Sequence, residues 1–201
     1  MKTDKYRVNS ISVNALLGLI EAKNIVIPEI QRPFVWKNKQ VRDLLDSLYK
    51  GYPTGYIILW NNPTVKLKDG TISAGRKSLI DGQQRITALM TSIAGIPVIN
   101  SEYKKARVKI AFNPFAAMSN DKDAEIFAVQ DQSHLRSKKW IPDVAEIFKV
   151  GFPLFNFINQ YCVDNPEMKP EKLNEIIMDL QFIGNRQIGI IELDDNLIIN
   201  Q

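Results

Sequence analysis

The stretch Leu79-Ile80-Asp81-Gly82-Gln83-Gln84-Arg85-Ile86-Thr87-Ala88-Leu89 limits what this chain can fold into more than any other. An apolar run stops at an acidic residue and a glycine, and helical periodicity then begins, which predicts strand, tight turn and helix. Ile86, Leu89, Met90 and Ile93 fall at i, i+3, i+4 and i+7. One apolar stripe would therefore pack on the sheet that Leu79 and Ile80 enter, with Gln83 and Arg85 at the mouth of the turn.

Helix capping accounts for part of this pattern. Asp81 as N-cap would accept from the first free N–H groups, and Gln84 three residues on could reach back to the Asp81 amide, a capping box worth roughly 0.5–2 kcal/mol. Capping leaves Gly82 and Arg85 unexplained, because a cation in the first turn opposes the positive end of the helix dipole unless an anion is there too. Glycine admits a ligand close to the backbone, and free N–H groups at a helix start bind phosphate. An anion site therefore explains the stretch better than a cap alone.

A second constellation is Gln31-Arg32, set between Ile30 and the apolar Pro33-Phe34-Val35-Trp36. One account is a solvated loop in which Arg32 pairs with Asp43 or Asp46. The other is a loop fixed by its apolar flanks, in which the planar fork of Arg32 meets phosphate and Gln31 supplies a donor and an acceptor. The packing on both sides favours the second, with Phe34 and Trp36 as core anchors.

Asp81-Gly82-Gln83-Gln84-Arg85 after Leu79-Ile80, with Ile27 to Trp36 upstream and Tyr52-Pro53-Thr54-Gly55 between, resembles the GmrSD-type restriction endonuclease N-terminal domain family. The resemblance is clear from Ile25 to about Thr91 and looser beyond. It implies an α+β fold with a mixed-sheet core similar to ParB and sulfiredoxin, and nucleotide hydrolysis within modification-dependent restriction or other anti-phage proteins. On that footing Gln31, Arg32, Gly82, Gln83 and Arg85 would bind a nucleoside triphosphate. Asp81 and Gln84 would be catalytic, with Asp81 holding a magnesium ion or orienting water. Asp81 cannot easily cap a helix and ligate a metal at once, so the binding roles of Arg32 and Arg85 rank above it.

Composition narrows the alternatives. At 201 residues, 45% hydrophobic and 24% charged, the chain can bury a sizeable core. No apolar segment approaches membrane-spanning length and the start is polar, so a cytoplasmic protein is expected. A single cysteine, Cys162, excludes an internal disulfide framework and cysteine-rich zinc sites, and reads as a small core residue. A single histidine, His134, excludes centres needing two histidines from this chain and reads as a solvated surface residue. The net charge of +4 is too small and too dispersed to argue strongly for a polyanion partner.

Further elements follow from stripes and turn signals. Ser10 or Ser12 caps a first helix with Ala15, Leu16, Leu19 and Ile20 inward, and Ile25–Ile27 is a short strand ended by Pro28. Asn38 caps a helix with Val41, Leu44, Leu45 and Leu48 inward, stopped by Gly51 and Pro53. Tyr56–Trp60 is too continuously apolar for a one-faced strand and should be central. A hairpin is expected around Asp69-Gly70, with Lys66 and Lys68 on its solvent face. A strand over 107–112 should pair with one over 125–129, and Lys104, Lys105, Arg107 and Lys109 would form either a basic edge for nucleic acid or charges that guard the edge against aggregation. A polar loop spans 130–139, helices run from Pro142 to Lys149, Pro153 to Val163 and Pro170 to Ile183, and a strand returns at 186–193. This divides the chain into a core over 1–140 and a mainly helical extension with a returning strand over 141–201.

Two functions fit these features. One is a triphosphate-binding regulatory domain, hydrolytic in the complete protein, joined to a nuclease domain or subunit of a defence system. The other is a module that contacts DNA phosphates or a modified base without turnover. General nucleotide motifs such as a Walker loop are absent. The resembled family ordinarily adds a segment with a phenylalanine, an asparagine four residues on and then a glycine, after a strand like Ile188–Leu193, and often a histidine-dependent nuclease beyond it. Residues 1–201 contain neither, so weak triphosphate binding, little turnover and no DNA cleavage are expected of them. Robust magnesium-dependent phosphate release, abolished by Asp81→Ala, would contradict this.

Overall fold

The structure, a computed structural model, describes residues 4–27, 33–61, 76–119, 121 and 123–194. Its centre is a five-stranded mixed sheet of β1 (Tyr6–Ser12), β2 (Ile25–Val26), β3 (Tyr56–Trp60), β4 (Lys77–Asp81) and β9 (Gln187–Leu193), in the order β1-β9-β3-β4-β2. β9 runs antiparallel to β1 and parallel to β3, β3 is antiparallel to β4, and β4 is parallel to β2. The α+β class and the central place of β3 agree with expectation. The last strand in sequence lies inside the sheet, between the first strand and the third, so the sheet closes only when the C-terminal part has folded.

Burial alternates along β3. Ile57 and Leu59 are fully buried while Tyr56 is 55% exposed, and Ile58 and Trp60 are intermediate. The continuous apolar run therefore covers one well-packed face and one only partly covered, which is where the two-faced expectation needs correcting. Ile57, Leu59, Leu79, Ile188 and Ile190 line the packed face. There they join one core with α1 (Val13–Glu21), α2 (Asn38–Lys50) and α3 (Gln83–Ser92).

α1 is capped by Ser12, whose Oγ accepts from Ala15 N–H at 3.2 Å. The N-cap of α2 is Lys37, one residue before the expected Asn38, and Gln40 Oε1 accepts from the Lys37 amide at 2.8 Å. Gly51 ends α2 at φ +77°, as its position after the apolar stripe predicted. α3 departs from a one-stripe helix, since Thr87, Ala88, Thr91 and Ser92 are buried along with Ile86 and Leu89. The buried hydroxyls have partners: Thr91 Oγ1 accepts from Val108 N–H at 2.8 Å, and Ser92 Oγ donates to Ala88 O at 2.7 Å.

β5 (Val98–Ile99) pairs with β6 (Lys105–Ala106), and β7 (Ile110–Phe112) pairs antiparallel with β8 (Phe127–Val129). The expected 107–112 strand is thus shorter. Its proposed basic edge is divided: Lys105 is in the other small sheet, Lys104 pairs with Glu102 at 3.0 Å, and Arg107 pairs with buried Asp143 at 3.0 Å. Tyr49, Phe112 and Phe127 pack edge to face or tilted, with centroids 5.3–5.9 Å apart, and join the hairpin to α2. α4 (Pro114–Met118) lies between β7 and β8 in sequence.

The polar segment expected as a loop over 130–139 contains α5 (Gln132–Arg136), capped by Asp131 Oδ1, which accepts from Ser133 and His134 amides. His134 is not solvated: its side chain is 12% exposed, set against the Trp140 ring at 4.6 Å and within 2.7 Å of Asp131. The helix expected up to Lys149 is a 3-10 turn, Val144–Glu146, capped by Asp143. α6 (Leu154–Asp164) and α7 (Pro170–Gln181) follow as expected. Tyr161 hydroxyl donates to Lys139 O at 2.6 Å and Asn165 Nδ2 to Lys138 O at 2.9 Å, tying α6 to the preceding loop. Cys162 is half-buried rather than fully in the core, and burial pushes its thiol pKa up. The hairpin expected around Asp69-Gly70 lies outside the described residues. Among the described residues no helix is long and apolar enough to cross a membrane.

Two measurements follow. Thr91→Val removes the acceptor of a buried amide and should cost about 1–3 kcal/mol in urea unfolding. The hydrogen bonds to Ser133 and the His134 amide hold the Asp131 carboxyl down at about 2 from its ordinary 3.8. Its contribution to stability is then complete above the ordinary value and lost as pH falls towards 2. Asp131→Asn should flatten that part of the acid-unfolding curve.

Candidate functional site

The start of β3 and the end of β4 meet at one end of the sheet, because the strands are antiparallel with Ile58 opposite Asp81. Asp81 is the last residue of β4 and is exposed. Gly82, at φ +95°, turns the chain into α3 and is its N-cap. A Cβ at Gly82 would lie 3.0 Å from Ile57 Cγ1 and 3.3 Å from Ile57 Cα, so glycine is needed both for the backbone angle and for the close approach to β3.

The expected capping box is not formed. Asp81 belongs to the strand, and the N-cap of α3 is Gly82, which has no side chain to cap with. Gln84 turns away from Asp81 and clamps a remote segment: its Oε1 accepts from the amides of Val35 at 2.9 Å and Trp36 at 3.3 Å, and its Nε2 donates to Pro33 O at 3.2 Å. A primary amide suits this task because it offers acceptor and donor together. Phe34 is buried beside the clamp and donates its amide to Ile99 O at 3.0 Å. Gln31 and Arg32 lie outside the described residues. The residue that follows Arg32 in the chain, Pro33, is nevertheless joined directly to the residue that precedes Arg85.

Arg85 is half-buried in the first turn of α3 and donates from Nη1 to Tyr56 O at 2.8 Å. Guanidinium carries five donors, and among the described residues no other hydrogen bond or ion pair engages this one. Burial pushes its pKa down, partly offset by the nearby Asp81 carboxylate. Two other part-buried arginines have different surroundings. Arg107 is neutralised by Asp143, and Arg186 donates to Tyr49 O at 3.0 Å and lies over the Phe182 ring. Gln83 opens α3 and is half-buried. Asp81, Gly82, Gln83, Gln84 and Arg85 thus share one end of the sheet, and the backbone at Gly55 and Tyr56 joins them. The sequence signal for that last contribution was Tyr52-Pro53-Thr54-Gly55, to which no role was attached.

Among the described residues no group of three or more His, Cys, Asp or Glu side chains converges to hold a metal ion. Asp81 offers a single exposed carboxylate at the site.

An α+β protein whose sheet end carries a glycine turn and a half-buried arginine, held among the described residues by one backbone carbonyl, is the class these features define. A family model described as the GmrSD restriction endonuclease, N-terminal domain, matches residues 13–197, and the chain belongs to that family. No curated protein matches the chain. The match takes in α1 and the helical part through β9, well beyond the Ile25 to Thr91 stretch in which the resemblance was clearest.

Replacing the clamp tests the local geometry. Gln84→Ala should cost about 1 kcal/mol of stability and strip the Val35 and Trp36 amides of protection in hydrogen exchange, leaving the β3 and β9 amides protected.

Proposed function

We propose that this chain is a nucleoside-triphosphate-binding regulatory domain of a DNA restriction protein, on a core similar to ParB and sulfiredoxin and working with a nuclease part of the complete protein. The observation that carries this reading is Arg85. A half-buried cation placed at the positive end of a helix, with one hydrogen bond among the described residues, is unfavourable unless an anion completes it. Membership of a restriction-endonuclease family supports a role beside DNA cleavage.

In this reading the guanidinium of Arg85 takes phosphate oxygens, and the first amides of α3 add donors along the helix axis. Gly82 acts through the turn, since Ile57 fills the space its missing side chain leaves, and it fixes where those amides begin. The family resemblance assigns Arg32 and Gln31 further phosphate contacts, and they immediately precede the segment that Gln84 holds through Pro33, Val35 and Trp36. Gln84 itself, though expected as a catalytic group, acts here by holding that segment, since both ends of its amide are engaged. Magnesium fits such a site without a dedicated cage, because it is commonly held by one or two carboxylates together with phosphate and water. Asp81 is the residue that would hold it, and the ion would supply charge neutralisation at the phosphates.

Calorimetry with a magnesium-bound triphosphate, with and without added salt, tests the proposal. Weak binding by residues 1–201 with a shallow salt dependence is expected, and Arg85→Ala should weaken it about tenfold or more, the loss of a charge-assisted contact. Absence of triphosphate binding, together with duplex DNA binding that falls steeply with salt, would assign the same residues to DNA phosphates instead.

A further inference from the structure

Among the described residues three arginines rest against glycines of positive φ: Arg186 against Gly51, Arg107 against Gly95, and Arg85 against Gly55 and Gly82. Arg107 pairs with Asp143, and Arg186 donates to Tyr49 O and lies over the Phe182 ring. Arg85, like Arg186, makes a single backbone bond, but it stands in the first turn of a helix and among the described residues has neither a carboxylate partner nor a ring beneath it. Gly55, at φ +85°, stands just before β3, and a Cβ built there would lie 2.9 Å from Arg85 Nη2 and 3.5 Å from its Cζ. The next peptide carbonyl, Tyr56 O, holds Nη1 from the adjoining side at 2.8 Å.

We propose that Gly55 is a positioning residue for the phosphate-binding arginine: its bare Cα and the carbonyl that follows form a seat that fixes the Arg85 guanidinium at the N-terminus of α3. The inference rests on the phosphate-binding role of Arg85 given above and adds a residue that touches neither phosphate nor metal. The seat answers a specific difficulty. The Asp81 carboxylate acts on Arg85, and a long, flexible arginine at a helix start is drawn to such a carboxylate and away from the helix dipole. Held over Gly55 by one backbone bond, the guanidinium forms no closed ion pair with Asp81, and both charges stay available to a ligand. A Cβ at position 55 would crowd Nη2 at 2.9 Å, so the guanidinium must shift from its seat and its bond to Tyr56 O is expected to weaken.

The test compares Gly55→Ala, Gly55→Asn, Arg85→Ala and the double variant Gly55→Ala/Arg85→Ala in residues 1–201. The probe is the magnesium complex of β,γ-imido-adenosine triphosphate, with calorimetry for affinity and thermal unfolding for stability. Asparagine tolerates positive φ while keeping the obstructing Cβ, so it separates the clash from backbone strain. Gly151→Ala is the strain control, since Gly151 has φ +76° and open space where a Cβ would stand. Both Gly55 variants should bind about tenfold more weakly, the double variant should bind no more weakly than Arg85→Ala, and Gly151→Ala should lose stability with binding unchanged. Normal binding by the Gly55 variants while Arg85→Ala loses binding would overturn the seat and leave the phosphate role of Arg85 standing. Additive losses, or an equal loss of binding in Gly151→Ala, would also overturn it. Normal binding by Arg85→Ala would remove the phosphate role itself, and the seat with it.

Discussion

The close approach of Gly82 to Ile57 is the constraint on which the rest of the site depends. With no side chain at 82, the turn out of β4 settles on the backbone of β3, and α3 starts at a fixed height over the end of the sheet. Every other contact there follows from that height. Arg85 reaches Tyr56 O, Gln84 reaches the backbone at Pro33 to Trp36, and the buried remainder of α3 packs between the sheet and the neighbouring helices. A larger residue at 82 would have to lift the helix by part of an ångström or more, and the hydrogen bonds of both side chains fall off steeply over such distances.

Burying α3 on nearly all sides is what makes the site rigid. Thr91 and Ser92 are completely buried, yet each hydroxyl has a partner, so the helix can be enclosed without the penalty of unpaired polar groups. β9 strengthens the same region from the far end of the chain. It inserts between β1 and β3, and so it fixes the strand whose first carbonyl holds Arg85. The site is built from residues near position 80, but its geometry requires the C-terminal strand.

Much of this was legible in the sequence where local chemistry decides. The strand–glycine–helix order at 79–89, the apolar stripe of α2 with Gly51 at its end, and the central strand at Tyr56–Trp60 each rest on neighbours within a few residues. What was not legible depended on partners far along the chain. Asp81 followed by Gln84 has the spacing of a capping box, but Pro33, Val35 and Trp36 compete for the same amide and win it. His134 sits among polar residues in sequence and against Trp140 in space. Arg107 alternates with apolar residues as an edge charge would, while the buried carboxylate that claims it is Asp143, in another element. Tyr52-Pro53-Thr54-Gly55 marked the place, but not the arginine thirty positions further on that rests against Gly55.

The central claim is that Arg85 is held ready for a phosphate group. A crystal structure of the protein with magnesium and a non-hydrolysable nucleoside triphosphate tests it most directly. The account predicts a terminal phosphate oxygen within hydrogen-bond distance of the Arg85 guanidinium at the start of α3, with the bond to Tyr56 O kept. A triphosphate bound elsewhere, with the Arg85 guanidinium turned to a protein carboxylate or to solvent, would contradict it.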